Sequence, residues 1–404
     1  GENRGHARKT TGSYYTPDSL VQVLLDSALD PVLARVMAEA DDPAAALLSV
    51  KVIDPACGSG HFLLAAARRI ATRLARVRAA GVASADDYRR ALREVARACI
   101  HGVDRNPMAV ELTKVALWIE TVEPGKPLGF LDANIRCGDS LFGLFDLNAL
   151  STGIPDAAYK PLAGDDRETA KHFGKRNRAE REGQGSLDFI RGGGALPEMA
   201  PLAGLARAFR ALPEDSPEQI EEKRKRFAAA QADPRSWHVR VAADLYVAAF
   251  LAPKTGGVPA NRNAVTIPTT GHVWEALAGA SVYGPLVGRA QDLAGQARAF
   301  HWPLEFPDVM AGGGFDVVLG NPPWEVMQLG EEEYFAQRLP EIAELAGAAR
   351  KQAIAALERD SPGVYATYQD DKRRFEAANE FTRASGRFDL TARGKINTYA
   401  LFAE

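Results

Sequence analysis

The sequence predicts an α/β fold, a mostly parallel sheet with flanking helices, interrupted by a long and mainly helical insertion. Three observations predict it. A short apolar run, Leu48–Asp54, closes on Val50, Val52 and Ile53 and leads through the glycine-rich turn Pro55–Gly60 into a long amphipathic helix. A second apolar run, Ile100–Val103, ends on Asp104 and is followed by another helix start. A third, Phe315–Leu319, follows Gly312–Gly314 and stops at Gly320 and the tetrapeptide Asn321-Pro322-Pro323-Trp324. Short β-branched runs alternating with helical periodicity are the mark of βα units and a parallel sheet.

The 404 residues suffice for one large domain or two ordinary ones, and 46% apolar with 25% charged residues is the composition of a globular protein. No stretch is long and apolar enough to span a membrane, and no signal-peptide core opens the chain. Cys57, Cys99 and Cys137 show no metal-ligand spacing, so no metal is expected, and so sparse a set favours a reducing cytoplasm. The net charge of −3 gives no global field for nucleic acid, so any such binding must be local.

In chain order, Thr16-Pro17 reads as a helix start, with Thr16 as N-cap and Pro17 at the first helical position, after the aromatic pair Tyr14 and Tyr15. The helix from His61 to about Ala79 buries Leu63, Ala67, Ile70, Leu74 and Val77 at helical spacing. Strand, glycine turn and helix make a Rossmann-like nucleotide crossover, in which free N–H groups at the helix start face a negative ligand end. It departs from G-x-G-x-x-G because Leu63 takes the place of the third glycine, and no P-loop lysine follows. Ser84 and Asp87 have capping-box spacing. Asp104 stands where α/β folds grip ribose hydroxyls, with Asn106 capping the next helix and Pro107 starting it. A third strand, Asn134–Cys137, ends at Gly138-Asp139-Ser140, again with a carboxylate at its tip. Each of these features also suits an α/β protein of another function.

Between Leu144 and Met310 lies the insertion. Ser151–Pro201 reads as loop with a basic cluster, Lys171, Lys175, Arg176, Arg178 and Arg181. Pro217–Ala230 is a charged helix containing Lys223–Arg226, and Trp237–Leu251 has a buried face of Trp237, Val241, Leu245, Tyr246 and Ala249. The basic clusters read as solvated helix faces, because acids are interleaved with them. After Trp324, Glu331–Asp360, Asp370–Ala384 and Gly394–Phe402 read as helices. The divisions are thus 1–143, 144–310 and 311–404.

With these motifs in order, the chain resembles the S-adenosylmethionine-dependent amino-methyltransferases of DNA. Asp54-Pro55-Ala56-Cys57-Gly58-Ser59-Gly60 with Phe62 resembles their cofactor loop, Asp104-Arg105-Asn106 their ribose-binding segment, and Asp139-Ser140-Leu141 their adenine-binding segment. Tyr14-Tyr15-Thr16-Pro17 resembles the segment that closes over the methionine end, and Asn321–Trp324 the catalytic tetrapeptide. The motif order matches adenine-N6 enzymes. The insertion and the phrase Phe300–Met310 are similar to the large enzymes of type IIG restriction and of BREX- or DISARM-like phage defence.

The resemblance implies S-adenosylmethionine as cofactor and double-stranded DNA with a flipped adenine as partner, with other restriction or defence subunits alongside. It implies that Asn321 Oδ1 and the Pro322 carbonyl accept the N6 hydrogens, and that Trp324 stacks on the base. RNA, a protein glutamine, and a non-catalytic scaffold role stay open as alternatives. The family's sheet is similar to a seven-stranded one, whereas four strands are legible here. Further strands beyond Glu404, flanking the strand that bears the tetrapeptide, are therefore expected.

Overall fold

Four strands form one all-parallel sheet among the described residues of the computed structural model, which describes residues 16–183, 196, 198–261 and 264–404. They are β1 (Val52–Asp54), β2 (Ile100–Asp104), β3 (Ile135–Cys137) and β4 (Val317–Val318), in the order β3-β2-β1-β4. Val52 pairs with Ile100 on one side and Val317 on the other, and Asp104 pairs with Cys137. β-branched residues dominate because both faces of the sheet are covered, as a parallel sheet requires.

The helices of this part are α1 (Asp18–Leu24), α2 (Asp30–Glu39), α3 (Pro43–Ser49), α4 (His61–Arg78), α5 (Ala85–Ala98) and α6 (Pro107–Glu120). Alternation along β1 sends Val52 and Ile53 to opposite faces. Val52 joins a core with Leu63, Ala67, Ile70 and Leu74 of α4, Leu33 of α2 and Leu92 of α5. Ile53 and Val103 meet Phe300, Trp302, Phe306 and Val309 on the other. The aromatic phrase before β4 is thus the second cover of the sheet.

Two compact units divide the chain. The first draws on Gly1–Leu147, Leu196–Arg240 and Ala297–Trp324, the second on Asn148–Ala195, Val241–Gln296 and Glu325–Glu404. In the first, Glu305 takes Arg136 on one carboxylate oxygen and Arg240 on the other, the latter at 3.0 Å. Burial raises the Glu305 carboxyl, but the two guanidinium groups outweigh it and pull the pKa down to about 2. Replacing Glu305 by alanine is expected to destabilise the first unit by about 3–5 kcal/mol, since the arginines lose their partner. A depressed carboxyl stabilises above its unfolded pKa. The gap between wild type and variant in thermal unfolding should therefore shrink as the pH falls from 4.5 toward 2.

The second unit is helical. Asp165, Lys254 and Arg373 join its three chain segments: Asp165 accepts from the Lys254 backbone N–H at 2.8 Å and from the Arg373 guanidinium, and the Lys254 ammonium caps the Ala249 and Phe250 carbonyls.

Several sequence readings are corrected. Leu48 and Ser49 end α3 rather than opening a strand, because Asp42 caps an alanine-rich run through Ala44 N–H and Ala45 N–H. Pro17, not Thr16, is the α1 N-cap, with an extended ψ of 139° and its carbonyl accepting from Leu20 N–H. Within Ser151–Pro201, Arg167–Arg181 is a helix. Its buried face carries Asn177 and Glu180, whose polarity masked the periodicity. The Asn177 amide serves the Ile154 carbonyl and the Thr270 N–H. Glu331–Asp360 is three helices, broken near Pro340 and Gly347. Trp237 is 47% exposed, whereas Val241, Leu245, Tyr246 and Ala249 are buried. In the basic clusters, Arg178 and Arg181 bind Asp156, Arg176 binds Glu180, Arg224 binds Glu221, and Lys223 is buried on Glu214.

Candidate active site

Topology places the site. β2 lies on one side of β1 and β4 on the other, so the strand order reverses between β1 and β4. Open α/β sheets bind ligands outside the carboxyl ends of their strands at such a switch point. Asp54 ends β1, Asp104 ends β2, Asp139 follows β3 by two residues, and Gly320-Asn321 follow β4 by two.

The glycine turn is bound to its neighbours through named contacts. Gly58 N–H donates to Asp104 Oδ2 at 2.8 Å, and Asn106 N–H to Asp104 Oδ1 at 2.7 Å. Cys57 N–H donates to the Val103 carbonyl. Gly58 and Gly60 have φ of +54° and +81°, where a side chain is strained. A Cβ on Gly60 would stand 2.9 Å from the Thr113 methyl, whereas one on Gly58 would meet nothing within 4 Å. The turn is therefore tight against α6 and open on its other side. Cys57 and Phe62 are buried, and burial, with Asp54 and Asp104 nearby, pushes the Cys57 thiol well up. Cys57 thus contributes packing and backbone rather than a reactive sulfur. Ser59 is exposed, while Pro55 and Ala56 are half-buried.

Asp54 is 1% exposed, and the described residues give it no cationic partner. It accepts from Ala56 N–H at 3.0 Å. Burial first, and the Asp104 carboxylate after it, push its pKa up to about 7. A buried acid poised near neutrality and lacking a counter-ion is a candidate functional group. A Cβ on Gly320 would lie 2.6 Å from Asp54 Oδ1, so the turn after β4 closes directly over this carboxylate.

At β3, Asp139 Oδ1 accepts from Leu141 N–H at 3.1 Å, and Arg105 Nε lies 3.7 Å from Oδ2. Ser140 donates to the Pro55 carbonyl at 2.7 Å, tying the third strand tip to the glycine turn. Asn321 Nδ2 donates to Thr16 Oγ1 at 3.2 Å, and Trp324 is 74% exposed. Pro322 and Pro323 are half-buried between them. Thr16 thus reaches the tetrapeptide, Pro17 is exposed, and Tyr14 and Tyr15 lie outside the described residues.

Residues that sequence reading missed are Gly320, Thr113 and Gly102. Thr113 is fully buried and donates to the Gly58 carbonyl at 2.9 Å. Its signal was a hydroxyl on the buried face of α6, between Val110 and Leu117. Gly102 leaves room for Cys57 and Leu63, since a Cβ there would lie 2.8 Å from Leu63.

The Eco57I restriction-modification methylase model matches residues 98–352, which include Asp104, Asp139 and the tetrapeptide. The chain belongs to this family. The N-6 DNA Methylase model matches residues 2–142, covering the glycine turn. A protein of Methanocaldococcus jannaschii named "Putative type II restriction enzyme and methyltransferase" is 26% identical over 36% of this chain and 16% of its own length. The adenine-specific methyltransferase PglX of Streptomyces coelicolor is 34% identical over 28% of this chain and 8% of its own length. The chain thus spans less than a fifth of the length of these curated relatives. No solved structure matches it. In this Eco57I-type chain the glycine turn and the tetrapeptide, the two halves of the candidate site, both fall in the first unit.

Proposed function

We propose that this chain transfers a methyl group from S-adenosylmethionine to the N6 amine of an adenine flipped out of duplex DNA. The observation that carries the reading is Gly320, which leads into the Asn321–Trp324 turn, closing over Asp54, a buried carboxyl with no cationic partner among the described residues, at the switch point. Restriction and adenine-specific methylation, in the names of its relatives, support DNA as substrate and other restriction or defence proteins as partners. Among the described residues no helix is long and apolar enough to cross a membrane, and we place the reaction in the cytoplasm.

The donor set fits the cofactor. Asp54 suits the ammonium of its methionine end, and the open side of Gly58 leaves space for close approach. A carboxylate has about four acceptor positions, and Asp104 shows one backbone bond on each oxygen, which leaves two for vicinal ribose hydroxyls. Asp139 suits the adenine amine. When bound, S-adenosylmethionine supplies an electrophilic methyl group. An adenine amine is a poor nucleophile because its lone pair is delocalised into the ring. Asn321 Oδ1 and the Pro322 carbonyl, accepting its hydrogens, favour a pyramidal nitrogen with the lone pair available. Trp324 offers an exposed face on which the flipped base regains about 1–3 kcal/mol of stacking. The order imposed on amine and methyl supplies much of the rate.

Tritium transfer from labelled S-adenosylmethionine into DNA, RNA and protein pools tests the reading. Label in N6-methyladenine of DNA is expected, and label only in RNA or in glutamine would replace it. Asp104→Ala is expected to weaken cofactor binding by one to two powers of ten, the loss of a charge-assisted bond of about 1.5–3 kcal/mol. Titration calorimetry showing wild-type affinity would remove Asp104 from the ribose site.

A further inference from the structure

We propose that the outer face of α6 docks a second copy of this chain, the two α6 helices lying antiparallel. Met108, Leu112, Val115 and Ile119 form that face, and Val122 continues it just past the helix end. All five are between 43% and 69% exposed. They follow one another at spacings of four, three, four and three residues. That is the period of a coiled-coil seam, about 3.5 residues. The opposite face of α6, with Val110, Thr113, Lys114 and Leu117, is buried, and Val110 and Leu117 join the core beside the sheet. The helix is thus apolar on two faces, and its own unit covers one. Exposed apolar side chains standing singly are ordinary, but a contiguous stripe marks an interaction surface.

A seam of this period fits a helix with the same period, and the chain itself supplies one. In the antiparallel pair Met108 packs on Ile119 of the second copy, and Leu112 on its Val115. The two-fold axis repeats both layers, so each of the four finds an apolar partner. The flanks are also self-complementary. One carries Ala109 and Ala116, both half-buried, and the antiparallel pair sets these alanines against each other, which lets the two axes come close. The other carries Glu111 and Trp118, and each Glu111 faces Trp118 of the second copy, so no like charges meet. A parallel pair would set Glu111 beside Ala116, leave the alanines unmatched and bring like ends of the helix dipoles together. The five side chains expose on the order of 500 Å², so the symmetric pair buries about 1,000 Å², where specific interfaces begin.

Sedimentation equilibrium over a range of concentrations tests the pairing, with Met108→Lys, Ile119→Glu and the double variant beside wild type. Wild type is expected to show a monomer–dimer equilibrium in the micromolar range. Each single change is expected to raise the dissociation constant about 100-fold, tenfold at each of its two symmetric occurrences. The double variant is expected to recover the dimer to within about tenfold of wild type, because the antiparallel register sets each introduced lysine against an introduced glutamate. A parallel register would set like charges together and lose the dimer. Both positions are exposed, so dilute single variants are expected to keep the wild-type melting temperature, which separates lost pairing from lost folding. Wild type that stays monomeric throughout the micromolar range overturns the proposal and leaves the seam to a helix of a different protein. Single variants that dimerise as wild type does, or a double variant that recovers nothing, overturn it as well.

Discussion

Replacing Asn321 with alanine is expected to lower the rate of methyl transfer by about 10³-fold, at the upper end of what one oriented polar group supplies at a transition state. Cofactor affinity is expected to stay within about twofold, well inside RT of the wild-type binding energy. The two expectations separate because, among the described residues, the Asn321 side chain bonds none of the acids proposed for the cofactor, Asp54, Asp104 and Asp139. Its side chain bonds Thr16, and Asp54 approaches the backbone of Gly320 instead. Alanine keeps the backbone compatible with the following proline, and the Pro322 carbonyl remains in place. The loss is thus confined to one acceptor, and it is realised only as the amine pyramidalises. The rate should fall at saturating substrate, because an interaction made only in the transition state acts there. The measurement is single-turnover transfer of labelled methyl, with cofactor binding by calorimetry on the same preparation. A variant that retains a substantial fraction of wild-type rate would take Asn321 out of the chemistry.

Much of this candidate site was legible because the residues proposed for it sit at strand ends. Val52-Ile53-Asp54 and Ile100–Asp104 each announce a strand by β-branching and a tip by an acid, and the glycines between them mark where backbone must come close. What stayed hidden depends on chain segments far apart in sequence. The approach of Gly320 to Asp54 depends on β4 pairing with β1, which no local pattern encodes. The bond from Thr16 to Asn321 joins two segments that each had a sufficient local reading, as a helix cap and as a rigid turn. The Arg167–Arg181 helix was obscured for the opposite reason. Its buried Asn177 and Glu180 are satisfied by tertiary partners, so polarity at those positions argues neither for a loop nor for exposure. The phrase Phe300–Met310 had been legible only as resemblance, and its physical role is to cover Ile53 and Val103.

Cofactor affinity is expected to follow a bell-shaped pH profile whose acid limb belongs to Asp54. Among the described residues this carboxyl is buried without a cationic partner, and burial pushes its pKa up to about 7. Below pH 7 it is mostly protonated, and pairing with the cofactor ammonium requires that proton to leave. Affinity should therefore fall about tenfold for each unit of acidification below 7, and binding should release up to one proton there. On the alkaline side an α-amino group loses its charge above about pH 8, so affinity should decline again. The same raised pKa acts on the fold with the opposite sign. Between 3.8 and 7 the folded chain holds a proton that the unfolded chain has released. Its stabilising contribution is complete at acid pH and lost as the pH rises through 7. Binding a cation restores at neutral pH what burial of the ionised carboxylate costs. Asp54→Asn removes the titrating group while keeping its shape and its bond from Ala56. That variant is expected to bind about 10²-fold more weakly at pH 7.5, at the level of a strong charge-assisted bond, and to lose the acid limb altogether. Calorimetry in buffers of different ionisation enthalpy reads both the affinity and the released proton. Wild-type affinity that is flat between pH 5.5 and 7.5 would place the ammonium elsewhere, and would leave the buried carboxylate as a structural acid that fixes the glycine turn through Ala56.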